Sequence, residues 1–507
     1  MEKGRETLGS RLGFLFLSAG CAIGLGNVWR FPFIAGKYGG AAFVLMYLVF
    51  LVIFGLPIMA AEFAVGRASR KSVAQSFKTL EPAGTKWHIF GYFGVAGNYL
   101  LMMFYTTVAG WMLYYFFATA SGMLSGLNPD QVGAFFGGVV SNPTLQISWM
   151  VIVVIIGFAA CFFGLQKGVE KITKFMMSGL LVIMLLLVFR AVTLPGAGEG
   201  LAFYLKPDFG NMVENGLWEA VYAALGQAFF TLSLGIGSMA IFGSYIDKSR
   251  SLTGECVNII GLDTFAALMA GFIIFPACFA FGVNPGAGPG LIFVTLPNVF
   301  NQLAGGTFWG ALFFLFMSFA ALTTVVAVFE NIAAFMIDRG IPRKKAVIIN
   351  IVLMIVLSIP CALGFNVWSG FQPLGPGTGV LDLEDFFVSN NLLPIGALVY
   401  LGFCCSRYGW GWDNFIAEVD EGKGLKFPKS KGIRFYLTYV VPVVILVIFV
   451  AGYWNIFKPL IMGKWLIFKF KIKSTLNWTK KALVSQGFFI SKREGRYQSR
   501  PFGCRSK

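Results

Sequence analysis

The chain has 507 residues, of which 57% are hydrophobic and 12% charged, about half the charge of an ordinary soluble domain. That balance excludes a disordered chain, a coiled coil and a typical cytosolic enzyme, and 55 Phe and 62 Gly suit helices that pack closely in lipid. The net charge of +17 does not mark a nucleic-acid binder, because residues 456–507 hold 13 Lys and Arg against one acid, Glu494, and so supply +12 of it.

In chain order, apolar stretches long enough to cross a ~30 Å hydrocarbon core are predicted at 12–36, 41–65, 88–120, 147–164, 171–193, 217–245, 256–281, 307–337, 345–364, 385–406 and 433–455. These eleven are numbered spans 1 to 11. A twelfth, 459–470, is short and basic, which leaves the count at eleven or twelve. Span 1 does not read as a signal peptide, since Asn27, Trp29 and Arg30 come after its apolar stretch where a small-residue cleavage site would stand. The eight Cys fall mostly within apolar runs without a CxxC pattern, so packing is expected of them, not disulfides or metal ligation. His88 is the only histidine, which argues against a His-based metal site or catalytic triad.

Basic residues cluster before span 1 and after spans 2, 4, 6, 8 and 10, whereas the alternate connections 124–146, 194–216, 282–306 and 365–384 hold only Lys206. The positive-inside rule then puts the N-terminus in the cytoplasm of a cell-membrane protein. Eleven spans would leave the basic tail outside. A short extra span or re-entry would return it, and a basic segment lying on anionic lipid is the plainer reading. No role is assigned to it.

Two spans carry paired glycines. Span 1 reads Ala22-Ile-Gly-Leu-Gly-Asn27, and span 6 reads Ser233-Leu-Gly-Ile-Gly-Ser238. They lie five spans apart, and an odd number of spans per unit inverts the second unit relative to the first. Corresponding Gly-interrupted spans point to a midplane transport site. Gly weakens a helix by about 1 kcal/mol relative to Ala. Unwinding there frees carbonyl oxygens for a cation and leaves helix N-termini facing an anionic group. A single GxG pair would instead be read as relief of helix crowding.

Intramembrane charge needs a reason, because each costs about 2.5–3.5 kcal/mol at mid-bilayer. Glu62 in span 2 is expected to cap N–H groups freed at a break. Asp263 is the only acid in span 7, and a carboxylate suits a hard cation such as Na⁺. Thr323 and Thr324 in span 8 offer hydroxyls, though alone they would be read as bonding the carbonyls four residues back.

The segments Ser18–Pro32 (SAGCAIGLGNVWRFP), Gly39–Phe43 (GGAAF), Ala61–Arg67 (AEFAVGR), Phe229–Gly237 (FFTLSLGIG) and Phe319–Thr324 (FAALTT) resemble the neurotransmitter:sodium symporter family, over about residues 5–455. The resemblance implies an all-α polytopic membrane protein with the LeuT-like fold: a 5+5 inverted-repeat bundle with two broken helices. It divides the chain into one transporter domain, 1–455, with repeats at about 11–193 and 217–406, an extra helix at 433–455, and the tail 456–507.

The function implied is sodium-coupled uptake by alternating access, not an enzyme's. Carried over by motif, one sodium site uses Ala22, Asn27, Thr231 and Asp263. A second uses the carbonyls of Gly20, Ile23 and Ala320 with the hydroxyls of Thr323 and Thr324. The substrate carboxylate meets Leu25, Gly26 and Tyr105, and the amine meets Ala22, Phe230, Thr231 and Ser233. Leu101, Ile236 and Val328 line the side-chain pocket, with Phe230 and Tyr105 as its lid. Arg30 and Asp385 pair as an outer gate. Arg5 and Asp338, with Tyr245 nearby, form an inner one. Partners are a small amino acid, sodium ions and lipid, with no organic cofactor and no nucleic acid.

Monoamine carriers of the family place an Asp where this chain has Gly24, so a substrate bringing its own carboxylate is expected: a zwitterionic, hydrophobic L-amino acid. Tyr47, Gln227 and Thr231 match the chloride neighbourhood of chloride-dependent members, but Asp263 already supplies fixed negative charge. A second anion would be repelled by several kcal/mol, so chloride independence is expected. The family's proline ten residues after Gly168 is Ser178 here, and a frequent N-terminal Trp is Leu8. Two other readings compete with this one. An intramembrane enzyme lacks support, with no HExxH motif and no second aspartate for Asp263. A non-transporting sensor or channel-like member suits two broken helices less well than occlusion does.

Overall fold

A computed structural model describes residues 6–214, 216–283, 285, 290–454 and 457. The basic tail and Arg5 lie outside the described residues. The chain divides into two compact units, Met1–Tyr453 and Trp454–Lys507, and the first holds the bundle. Among the described residues nine helices are long and apolar enough to cross a membrane. A bent pair, Arg11–Ala22 and Gly26–Lys37 at 52°, makes a tenth. Span 6 is split as well, into Leu217–Thr231 and Ser238–Gly243, and with it the eleven apolar stretches of the sequence are accounted for.

Local chemistry sets the ends of these helices. Ser10 begins span 1, its hydroxyl accepting from the Gly13 N–H at 3.0 Å. Asn142 and Ser251 do the same for spans 4 and 7, each capping a donor that the helix leaves unpaired. A helix outside the spans, Pro129–Ser141, opens with a reciprocal Asn128–Gln131 capping box. Several spans contain a π turn: Leu51–Gly55 in span 2, Leu165–Glu170 at the head of span 5, and Phe386–Leu392 in span 10. Such turns rotate the remainder of a helix onto a new face and gather at functional sites.

Span 8 (Gly306–Ile337) is the pillar of the bundle. Its apolar window is 83% buried, against 22% for span 11 (Lys431–Trp454), which leaves span 11 facing outward to the lipid. Span 8 packs along span 3 (His88–Ala120) and against spans 1, 4 and 5. Gly157 of span 4 admits Phe329 of span 8, whose ring stacks on Phe158 with centroids 3.9 Å apart. The second half of span 6 is locked to span 2 through glycine. A Cβ on Gly66 would stand 1.8 Å from the Ala240 carbonyl oxygen, and one on Gly243 would stand 2.5 Å from the Phe63 oxygen.

Span 2 ends in a fully buried charge, Arg67. Its Nε donates to Glu418 at 2.5 Å and its Nη1 to the Arg250 carbonyl at 2.7 Å. This ties span 2 to the helix Trp412–Val419 and to the connection after span 6. The seven described cysteines are all buried and unpaired.

Candidate functional site

The two interruptions lie side by side at the centre of the bundle. In span 1 the helix stops at Ala22. Ile23 adopts φ −73° and ψ 84°, which carries its carbonyl out of the helical ladder. The Leu25 N–H is then free to donate to the Tyr105 hydroxyl of span 3 at 3.0 Å. In span 6 the break runs over Leu232–Gly237. Gly235 and Gly237 have φ +96° and +76°, and Ser233, at φ +50°, is one of two non-glycine residues with positive φ among those described. Left-handed backbone at a non-glycine residue is uncommon and is held only by its surroundings. Glu62 provides part of that hold: its carboxylate accepts from the Gly235 N–H and, at 3.3 Å, from the Met239 N–H. This is the capping expected of Glu62 from sequence.

One oxygen cluster forms where span 7 meets the breaks. Asp263 Oδ1 accepts from Asn27 Nδ2 at 2.8 Å, and the Thr231 hydroxyl lies 3.1 and 3.2 Å from the two carboxylate oxygens. All three side chains are buried. A second cluster lies between spans 1 and 8. The Thr324 hydroxyl donates to the Gly20 carbonyl at 3.1 Å and reaches the Ala320 carbonyl at 3.4 Å. The Thr323 hydroxyl is 3.0 Å from the Ala320 carbonyl. Carboxylate, hydroxyl and carbonyl oxygens are a donor set for a hard cation. Among the described residues no group of three or more His, Cys, Asp or Glu converges.

Between the clusters lies a small cavity. Its walls include Ala22, Gly24, Gly26, Leu101, Tyr105, Phe230, Ser233, Ile236 and Thr324. Gly24 faces it without room for a side chain, since a Cβ would stand 2.5 Å from both the Thr324 and Tyr105 hydroxyl oxygens. Leu25 borders a separate, larger cavity, which Phe230 and Tyr105 also line. Those two rings therefore stand between the two spaces.

Some expected residues fall elsewhere. Val328 is fully buried, one turn past Thr324, and does not line the cavity; Val388 and Leu393 of span 10 do. Arg30 and Asp385 face the larger cavity together but form no ion pair. The guanidinium instead lies 4.4 Å over the Phe230 ring, and Asp385 accepts from the Ser389 hydroxyl at 2.6 Å. Cation–π contact and a local hydroxyl thus hold the two charges where a direct pair was expected. Of the inner pair, Asp338 accepts from the Ser72 N–H at 2.5 Å, and its expected partner Arg5 lies outside the described residues. Tyr245 donates to Glu330 at 3.1 Å.

Glu330 itself escaped the sequence reading. It is fully buried in span 8 and paired with Arg343 at 2.7 Å, and Arg343 also reaches Glu6 at 3.0 Å. The signal was present, because an acid inside an apolar span demands a partner. The N-terminal segment is tied down nearby: Glu170 accepts from the Gly9 N–H and the Ser10 hydroxyl at 2.7 and 2.8 Å. In the chloride neighbourhood, the Gln227 amide donates to the Gly26 carbonyl at 2.8 Å. The Tyr47 hydroxyl and the Gln227 amide oxygen are buried without hydrogen bonds. Span 5 runs unbroken from Lys171 to Val192 through Ser178.

A helical bundle whose two interrupted spans meet at a buried cavity, with oxygen clusters beside it, is the architecture of a secondary transporter. The chain belongs to the sodium:neurotransmitter symporter family, whose model matches residues 5–128 and 138–485. It is 36% identical over 442 residues to the uncharacterized sodium-dependent transporter YhdH of Bacillus subtilis (strain 168), covering 87% of this chain and 96% of that one. It is 27% identical over 508 residues to the sodium-dependent serotonin transporter of Drosophila melanogaster, covering 89% and 76%. A crystal structure of MhsT in complex with L-phenylalanine is similar at a TM-score of 0.79 and 38% identity, covering 88% of this chain and 99% of that one. The protein is a multi-pass membrane protein of sodium-dependent transport, with the LeuT-like fold, and not an enzyme.

Proposed function

We propose that the protein imports a hydrophobic L-amino acid together with sodium by alternating access, without need of chloride, across the cell membrane and with its N-terminus in the cytoplasm. The observation that carries this reading is the apolar cavity wedged between two oxygen clusters at paired helix breaks. In it the substrate carboxylate meets the Tyr105 hydroxyl, the N–H groups at Leu25 and Gly26, and a sodium ion held by Asp263, Asn27, Thr231 and the Ala22 carbonyl. The amine meets the Ser233 hydroxyl and carbonyls of the broken segments, at Ala22, Phe230 and Thr231. A second sodium lies among Gly20, Ile23, Ala320, Thr323 and Thr324. The apolar walls, Leu101, Ile236, Phe230, Val388 and Leu393, favour an uncharged side chain, because a buried unpaired charge is costly. That MhsT holds L-phenylalanine in its crystal structure supports the same substrate class here.

One feature supports chloride independence, and a second supports a zwitterionic substrate. The Asp263 carboxylate already sits against Thr231 and Asn27, so the cluster carries fixed negative charge. Gly24 has no side chain to serve an amine, so the substrate must bring its own anion. Arg30 over Phe230, with Asp385 across the larger cavity, forms the outer closure, and Asp338, Tyr245, Glu330 and Arg343 form the inner one.

The test is uptake into proteoliposomes of a radiolabelled amino-acid panel under an inward sodium gradient. Accumulation of Leu-like or aromatic residues, lost when potassium replaces sodium and kept when gluconate replaces chloride, is the expected result. Asp263→Ala should lower sodium-driven uptake more than tenfold. Uptake indifferent to sodium would overturn the coupling. Strong dependence on chloride would overturn that part of the reading alone. Binding without any sodium-driven counterflow would favour a sensor.

A further inference from the structure

The unwound stretch of span 6 is gripped from two sides by backbone. On one side is span 10, where a Cβ on Gly396 would stand 1.9 Å from the Gly235 carbonyl oxygen, and one on Gly235 would stand 2.2 Å from the Leu393 oxygen. On the other is one face of span 3, made by Gly94, Gly97, Asn98 and, a turn further along, Leu101. Asn98 is buried, and its amide donates to the Ile236 carbonyl at 2.9 Å and to the Gly94 carbonyl at 2.7 Å. Its oxygen accepts from Asn331 at 3.0 Å. Gly97 lies directly behind the Ile236 side chain: a Cβ there would stand 3.0 Å from Ile236 Cγ2 and 3.2 Å from Leu392 Cδ1. Neither Gly97 nor Asn98 touches the cavity, whereas Ile236 and Leu393 line it.

We infer that Gly97 and Asn98 of span 3 are specificity-determining residues that set the depth of the side-chain pocket from behind, by fixing where Ile236 stands. The inference rests on the amino-acid reading above and goes beyond it, since it concerns which side-chain sizes are accepted.

The outcome depends on where a displaced atom can go. Ile236 is β-branched, so its χ1 is stiff. Its backbone is pinned by Asn98 at its own carbonyl and by Glu62 at the N–H groups of Gly235 and Met239. A methyl group added at position 97 meets Ile236 first. With the backbone held on both flanks, the side chain has one direction of relief, into the cavity. Leu392, the second neighbour, precedes the cavity residue Leu393 and moves the wall the same way. The pocket thus becomes shallower although no residue lining it has been changed. Loss of the Asn98 anchor has the opposite character. Ile236 gains freedom, and discrimination by side-chain size weakens.

Asn98 and Gly97 are positioning residues, so the test must separate them from mere stability. Sodium-dependent equilibrium binding of L-Trp, L-Phe, L-Leu and L-Val to purified protein is measured alongside thermal unfolding. Gly97→Ala should shift the ratio of Phe to Val affinity toward Val by about tenfold or more, the scale on which one methyl group discriminates in an apolar pocket. Gly97→Ala combined with Ile236→Ala should restore aromatic binding. Asn98→Ala should compress the ranking of the four ligands, whereas Asn331→Ala, which breaks the same network without freeing Ile236, should lower the melting temperature but keep the ranking. The inference is overturned if Gly97→Ala leaves the ranking intact, if the double variant fails to restore it, or if both asparagine variants change it alike. Should Gly97→Ala not fold, the two asparagine variants decide the matter. Wild-type protein that binds none of the four ligands would instead overturn the substrate class, and the inference with it.

Discussion

Glu62 illustrates how much a single buried carboxylate does in this fold. It has no exposed surface, and it satisfies two N–H groups that the break in span 6 strips of helical partners. Glu62→Ala should leave both donors orphaned, at about 1–3 kcal/mol each. Thermal unfolding in detergent is expected to show the loss, together with weaker sodium-dependent binding; a variant as stable as the wild type would contradict this role. Its place was legible in the sequence because a charge in a span must be explained, and the same reasoning picked out Asp263. It missed Glu330, whose partner Arg343 lies beyond the end of span 8 and is shared with Glu6 at the far N-terminus. The pairing of Arg30 with Asp385 was misjudged because a motif conveys which charges share a cavity, while the Phe230 ring and the Ser389 hydroxyl decide what each one touches.

Helices and their interruptions form the next scale. The apolar lengths marked the spans to within a few residues, since hydrocarbon thickness dictates them, and the glycine pairs marked both breaks. What sequence periodicity did not convey was the face presented by span 10. The π turn at Phe386–Leu392 rotates the helix beyond it, and Val388 and Leu393 reach the cavity where Val328 of span 8 was expected. Contacts between elements were equally hidden, because Gly66 looks like one glycine among 62 until Ala240 is seen against it. Gly66→Ala would drive a Cβ to 1.8 Å from that carbonyl, a clash with backbone that no rotamer relieves. The variant should separate span 2 from the second half of span 6. The yield of folded protein, measured by size-exclusion chromatography, should fall steeply, and normal yield with normal binding would refute the interlock.

For the molecule as a whole, connections rich in Lys and Arg alternate with ones nearly free of them, and this alternation carries the proposed orientation. Lys78 lies after span 2 on the N-terminal side and Ser125 after span 3 on the other, and both are exposed. With a cytoplasmic N-terminus, a cysteine placed at Ser125 in intact cells should react with a membrane-impermeant maleimide. One placed at Lys78 should react only after the membrane is opened. The seven described native cysteines are buried, and with Cys504→Ser as the starting variant the background stays low. The reverse labelling pattern would invert the topology.

Thr324 belongs to two neighbourhoods at once: its hydroxyl rests on the Gly20 and Ala320 carbonyls, and its side chain forms part of the cavity wall. Ala22 lines the same wall, as do Gly26 and Phe230, the chain neighbours of Asn27 and Thr231, which hold Asp263. Occupants of such adjoining places are bound by thermodynamic reciprocity. Whatever factor the cation contributes to amino-acid affinity, the amino acid must return to the cation. A titration of sodium at fixed amino acid and one of amino acid at fixed sodium must therefore yield a single coupling constant.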